Sequence, residues 1–245
     1  MNIGSQSFIF GPDVHADKFD HPSDEAIARG DALGHYVPTI GKGFINQRHR
    51  SYSVYPVRGG VIDHPVSGWL RREDALKLYE MAHFSIGNVL ELGTHKGLSA
   101  TIMAEALLDA GSGYSLVTLE INEEYVREAR RAHRERNLHN IAYRVGDAAK
   151  VLNRFVRKGR RFGFVFVDHS HRYAPTRDAC LRLDRLLIPG GYALFHDYVD
   201  PRNAYPENAE YDVVRAVRDH LPGSFRFAGI FGCCALFEFR GDVQD

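Results

Sequence analysis

The sequence predicts an α/β fold, a mostly parallel sheet with helices on both faces that ends in a C-terminal antiparallel hairpin. Three observations carry this. Short apolar runs alternate with helical periodicities from residue 88 to residue 221, which requires crossover connections and therefore parallel strands. Five successive apolar runs end on or beside an acid, at Glu91, Glu120, Asp147, Asp168 and Asp197, and an open sheet of this kind binds ligands beyond its carboxyl ends. Two β-rich runs split by Phe231-Gly232 close the chain with hairpin spacing.

Taken in order, residues 1–66 read as an N-terminal extension ahead of an α/β domain over residues 67–245. The extension is rich in Gly, Pro, His and Tyr and shows little periodicity. Residues 1–35 read as a poorly ordered end. Residues 36–66, with Tyr36, Phe44, Tyr52 and Tyr55, carry enough aromatic surface to act as a lid over a substrate site or as a subunit contact in a homodimer. A helix is expected over Leu70–Phe84, where Ala75, Leu76, Tyr79 and Ala82 follow a three/four-residue spacing. Strand and helix then alternate: Val89–Leu92 and Ser99–Ala110, Ser115–Leu119 and Glu123–Arg136, Ile141–Val145 and Ala148–Arg157. Phe164–Val167 is followed by a helix over Ala174–Leu187, which Pro189-Gly-Gly191 ends. Tyr192–Phe195 is the fifth strand, and a helix over Glu210–Leu221 follows a long polar loop. The hairpin takes Phe225–Ile230 and Cys233–Arg240.

Composition narrows the function. The chain has 31 basic and 31 acidic residues and no basic stripe, so nucleic acid is not the expected partner. Its three cysteines match neither a disulfide framework nor a zinc spacing. No run approaches the ~18 apolar residues of a membrane span, and the first residues lack a signal-peptide pattern. The expected setting is the cytoplasm.

The loop Glu91-Leu-Gly93-Thr-His-Lys-Gly97 joins the first strand of the alternation to its helix. Glycines at such a turn let the backbone approach a ligand, and the helix N-terminus offers free N–H groups. A dinucleotide fingerprint beginning at Gly93 needs glycine at 95 and 98, where the chain has His95 and Leu98, which argues against a nicotinamide-dependent dehydrogenase. The wider spacing resembles motif I of the class I S-adenosylmethionine-dependent methyltransferases, whose Rossmann-like sheet also ends in an antiparallel hairpin. Gly68-Trp-Leu-Arg-Arg-Glu-Asp-Ala75, Val167-Asp-His-Ser-His-Arg-Tyr173 and Pro189-Gly-Gly-Tyr-Ala-Leu-Phe-His-Asp197 are similar to the small-molecule O-methyltransferase subgroup, which includes catechol-type and macrolide-sugar-type enzymes.

The resemblance implies roles residue by residue. Glu91, Gly93 and Gly97 would hold the methionine moiety of S-adenosylmethionine, with Thr94, His95 and Ser99 as donors to its carboxylate. Glu120 would take the ribose, and Asp147 with Ala148 the adenine. Asp168 and Asp197 would be ligands of a divalent metal, with magnesium the expected ion. His171 would be the general base, acting with Asp168 on a hydroxyl of a catechol, a sugar or a natural product. His169, Arg172, Tyr173, Tyr198 and Arg202 are candidates for the substrate mouth, and Asp200 and Tyr205 join them from the 198–208 loop. Catechol-type enzymes place a further Asn or Asp ligand after the second metal Asp, and here that position is Tyr198. Alternation along the strand would turn His196 to the face opposite Asp197. His15, His21 and His35 show no ligand spacing. Two other readings fit the same residues: a metal-independent N- or C-methyltransferase, and a non-catalytic S-adenosylmethionine-binding protein.

Overall fold

A computed structural model describes residues 21–205 and 207–241. His15 and the rest of residues 1–20 lie outside the described residues. The sheet is built from β3 (Val89–Leu92), β4 (Leu116–Glu120), β5 (Ile141–Val145), β6 (Phe162–Val167), β7 (Leu187–Phe195), β8 (Phe225–Phe231) and β9 (Cys234–Phe239). Their spatial order is β5-β4-β3-β6-β7-β9-β8. β5 through β7 run parallel, and β9 pairs antiparallel with both β7 and β8. Every residue of β3 and β6 is buried, as central parallel strands covered on both faces must be. The expected mostly parallel sheet with a C-terminal hairpin is borne out.

The helices are α3 (Arg72–His83), α4 (Leu98–Ala110), α5 (Glu123–Glu135), α6 (Ala148–Arg157), α7 (Tyr173–Leu186) and α8 (Val213–His220). α3 packs with α4, while α6, α7 and α8 form a second group. The order of the strands reverses between β3 and β6, so the crevice for a ligand opens where those two strands end. Most boundaries agree with the sequence to within one or two residues. The fifth strand departs further. It begins at Leu187 and runs through Pro189-Gly190-Gly191, with its register to β6 shifting between Phe162 and Phe164. Proline and glycine act here as an irregularity inside a strand rather than as a helix stop.

The N-terminal segment is better built than its sequence suggests. Residues 24–29 form α1 (Asp24–Arg29), capped by Ser23 and closed by Gly30, and its Ile27 is buried. α2 (Gln47–Tyr52) is capped by Asn46 and rests on α3, with Tyr52 donating to Glu105 on α4 at 2.7 Å. A short hairpin, β1 (Val57–Arg58) and β2 (Val61–Ile62), follows.

The segment is tied to α3 by an ion pair with no solvent exposure on either side chain, Lys77 Nζ to Glu80 Oε2 at 2.6 Å. Lys77 also donates to the Val37 carbonyl and the Thr39 hydroxyl. Glu80 Oε1 accepts the backbone N–H groups of Thr39 and Ile40. Removing one partner of such a pair leaves an uncompensated buried charge. Glu80→Gln is therefore expected to lose about 3 to 5 kcal/mol of stability in urea unfolding. The double replacement Lys77→Met with Glu80→Leu should recover most of that loss. A Glu80→Gln loss below about 1 kcal/mol would contradict the assignment.

Candidate active site

The two glycines of the loop after β3 are required by its geometry. Gly93 has φ 99°, and a Cβ there would lie 2.2 Å from the carbonyl oxygen of Asp168. Gly97 has φ 100°, and its Cβ would lie 2.7 Å from His133 Nε2. Only glycine lets the ends of β3 and β6 approach this closely. The Gly93 and Thr94 N–H groups donate to the Leu119 carbonyl, which fixes the loop to β4. Gly97 is the N-cap of α4, so the first turn of that helix opens beside the loop.

Beneath the loop lies a wholly buried carboxylate, Glu91. Ser99 and Thr118 each donate a hydroxyl to it at 2.5 Å, and Thr94 shares a hydrogen bond with Thr118. The side chains of Glu91, Thr94 and Ser99 thus brace one another. Burial pushes the Glu91 carboxyl up to about 8, against the two hydroxyl donors and with the charges of Asp168 and Glu120 adding to the rise.

Two cavities share Gly93, Glu120 and His169. One, of about 300 Å³, is lined also by Gly146, Asp147, Ala148 and Leu152. The other, of about 490 Å³, runs past Thr94, His95, Gly97 and Ser99 to Asp168, His171, His196 and Asp197. Glu120 stands between them, its carboxylate accepting the N–H groups of His95 at 2.8 Å and Asn122 at 2.9 Å. Asp147 caps α6 by accepting from the Lys150 N–H at 2.9 Å. His169 lines both cavities. Burial lowers its pKa to about 4, and its buried Nδ1 has no hydrogen-bond partner.

At the ends of β6 and β7 the titratable groups converge. His171 Nε2 lies 3.3 Å from Asp168 Oδ1 and 3.4 Å from Asp197 Oδ2. Its ring stacks on Tyr211 at 4.7 Å between centroids, and the Arg202 guanidinium sits 3.7 Å from the centroid of that tyrosine ring. Asp200 fixes Arg202 through two side-chain contacts, at 2.6 and 2.7 Å. Burial works against charge on Asp168, yet the imidazoles of His196 and His171 outweigh it and hold the carboxyl well below the usual range.

His196 corrects an expectation. It does not turn away from Asp197: its Nδ1 lies 3.1 Å from Asp168 Oδ1 and 3.5 Å from Asp197 Oδ1. β7 ends at Phe195 and Asp197 takes φ 52°, so strand alternation stops one residue too early to apply. Burial opposes charge on His196, but Asp168, with Cys233 and Asp197, raises its pKa well above the usual value.

The remaining candidates divide. Asp200 and Arg202 line the larger of these two cavities. Tyr198 is fully buried, its hydroxyl on His21 Nδ1 at 3.1 Å and its ring against Phe237. Arg172 is exposed and paired with Glu210. Tyr173 binds Asp219 and His220 and, with Tyr205, lines a separate cavity of about 860 Å³. That cavity shares Tyr211 with the site but none of the strand-end acids. Sequence reasoning missed Trp69, Tyr211, Asp74 and His196. Trp69 is the chain's one tryptophan, and 76% exposure at the rim of the site is unusual for so large an apolar ring.

A divalent cation fits this arrangement. Asp168 and Asp197 converge on the same two imidazoles, and Asp168, His171 and His196 each bring a ligand atom within 4.8 Å of the others. Two carboxylates alone would suit magnesium; the adjoining nitrogens make the donor set mixed.

Residues 90–198 match the family model described as a methyltransferase domain. No curated protein matches the chain by sequence. Among solved structures, TomG, an O-methyltransferase from Streptomyces achromogenes involved in tomaymycin synthesis and bound to S-adenosylmethionine, is 20% identical. The match covers 90% of this chain and 92% of that one, with a TM-score of 0.60. An O-methyltransferase from Bacillus cereus bound to S-adenosylhomocysteine is 17% identical, covering 91% and 94% of the two chains with a TM-score of 0.55. At these identities the likeness is one of fold. The family match covers the stretch from β3 to Tyr198, which holds the glycine loop and the strand-end acids from Glu91 to Asp197.

Glu91 gives this site a pH signature. Its folded pKa of about 8 lies above the ~4.3 of a free glutamate. Its contribution to stability is therefore complete below that lower value and is lost as pH rises through 8. The melting temperature of the wild type minus that of Glu91→Gln should fall steadily between about pH 5 and pH 9. A pH-independent difference would mean that Glu91 is ionised throughout.

Proposed function

We propose that the protein transfers the methyl group of S-adenosylmethionine to a hydroxyl of a small molecule with the assistance of a divalent cation. The observation that carries this reading is His171 Nε2 held between Asp168 and Asp197 at the end of a cavity lined by the Gly93–Gly97 loop. The names of the two O-methyltransferases of like fold support it.

S-adenosylmethionine brings an electrophilic methyl group to the loop, and a divalent cation at Asp168 and Asp197 would lower the pKa of the acceptor hydroxyl. The chain's own residues do the rest. Asp147 and the first N–H groups of α6 take the adenine edge, and the Glu120 carboxylate, pinned by two backbone donors, accepts the ribose hydroxyls. The α4 N-terminus receives the methionine carboxylate. Glu91 acts from below, setting the loop through Ser99 and Thr118. His171 takes the acceptor proton at Nε2, while its stack on Tyr211, a ring that Arg202 in turn lies over, fixes the imidazole plane. Trp69 and the β1–β2 turn, which reaches the same cavity through Gly59 and Val61, cover the acceptor and exclude water, so that part of residues 36–66 serves as the lid.

His171→Ala is expected to lower kcat/KM about 10²- to 10⁴-fold on a catechol, sugar or polyketide acceptor found by screening, while the Kd for S-adenosylhomocysteine stays within about twofold. Unchanged turnover in His171→Ala would remove the base assignment. Full turnover after exhaustive chelation would remove the cation, and methylation of amines or carbon alone would replace the hydroxyl acceptor.

A further inference from the structure

A cation held only by Asp168 and Asp197 would sit among oxygen donors, the environment magnesium favours. The fold brings an imidazole to the same point. His196 Nδ1 stands 3.1 Å from Asp168 Oδ1 and 3.5 Å from Asp197 Oδ1. Its side chain is 7% exposed, and neither ring nitrogen makes an aligned hydrogen bond. Donors bound about 2.1 Å from one cation stand roughly 3.0 Å apart across an octahedral edge and roughly 3.4 Å apart across a tetrahedral one. The two His196 separations have the size of ligand-to-ligand edges.

The far side of the ring is built to support that use. His196 Nε2 faces Asp74 Oδ2 at 3.7 Å. Asp74 is wholly buried and is fixed by the N–H groups of Arg71 at 2.7 Å and Cys233 at 2.9 Å. Gly232 makes room for it: at φ 59°, a Cβ there would lie 2.0 Å from Asp74 Oδ1. A carboxylate behind an imidazole fixes the tautomer and orientation of metal-binding histidines. The Cys233 thiol, 3.5 Å from Asp197 Oδ1, adds a soft group to the same wall. His171, meeting both carboxylates through its own Nε2, remains available as the base.

We propose that His196 is a cation ligand through Nδ1, oriented by Asp74 through Nε2, and that with Asp168 and Asp197 it forms a one-imidazole, two-carboxylate site that prefers a first-row transition-metal dication to magnesium. This rests on the reading of Asp168 and Asp197 as cation ligands. Imidazole suits transition metals, whereas magnesium binds oxygen almost exclusively. The position after Asp197, held by the buried Tyr198, then needs no ligand, because the position before it supplies one.

The test is calorimetric titration of the metal-stripped full chain with manganese chloride and with magnesium chloride, no acceptor being present. Manganese should bind at least about tenfold more tightly than magnesium. His196→Ala should bring the two affinities to within about twofold by weakening manganese, and Asp74→Asn should weaken manganese about 10- to 100-fold. Pulsed electron paramagnetic resonance of bound manganese should show nitrogen coupling in the wild type and none in His196→Ala. Equal affinities, no manganese binding, or a manganese signal without nitrogen coupling would overturn the proposal. Because His171 Nε2 also lies 3.3 and 3.4 Å from Asp168 and Asp197, His171→Ala is the control should circular dichroism show His196→Ala unfolded: nitrogen coupling that persists in it belongs to His196, and coupling lost with it would overturn the proposal. S-adenosylhomocysteine titrated separately tests the methyl-transfer reading, so either can fail without the other.

Discussion

The site depends on how closely two strand ends approach one another. β3 and β6 are the central pair of the sheet, and the crevice between them opens where the strand order reverses. At that point Gly93 lies against the backbone of Asp168, with no room for even a single added carbon. The contact does two things. It turns the chain after β3 into a loop whose backbone can meet a ligand, and it sets the Asp168 carboxylate beside that loop. Both the cavities beside the loop and the carboxylate cluster follow from it.

Charge is arranged around this contact in two layers. Under the loop, Glu91 is buried with hydroxyl donors only, and burial keeps it largely protonated. Beyond the loop, Asp168 lies against two imidazoles that hold it ionised. Carboxyl groups on adjacent strands therefore take opposite states, one a neutral brace and the other a charged anchor. Environment rather than residue type divides the roles.

Much of this was legible in the sequence. Apolar runs alternating with helical periods marked out the parallel strands, because burial on both faces leaves an uninterrupted apolar stretch. Glu91-x-Gly93-x-x-x-Gly97 pointed to the loop, since its backbone conformation admits few residues other than glycine. What could not be read came from tertiary packing. Lys77 and Glu80 look like an exposed helical pair, yet they are buried because residues 37–40 lie across them. His196 was misplaced because the strand stops at Phe195 and positive φ at Asp197 breaks the alternation. Asp74, on a helix before the glycine loop, faces His196 directly and is held there by the β8–β9 turn at Gly232 and Cys233. Long-range contacts of that kind leave no local periodicity to detect.

The proposed methyl transfer requires that the ends of β3, β4, β5, β6 and β7 form one continuous site for the donor and its acceptor. A crystal structure of the protein with S-adenosylhomocysteine tests it most directly. Adenine is expected against Asp147 and Ala148, the ribose on Glu120 and the sulfur facing the gap between Asp168 and His171. Ligand bound instead in the cavity beside Tyr173 and Tyr205, or no ligand at the Gly93–Gly97 loop at saturating concentration, would contradict it.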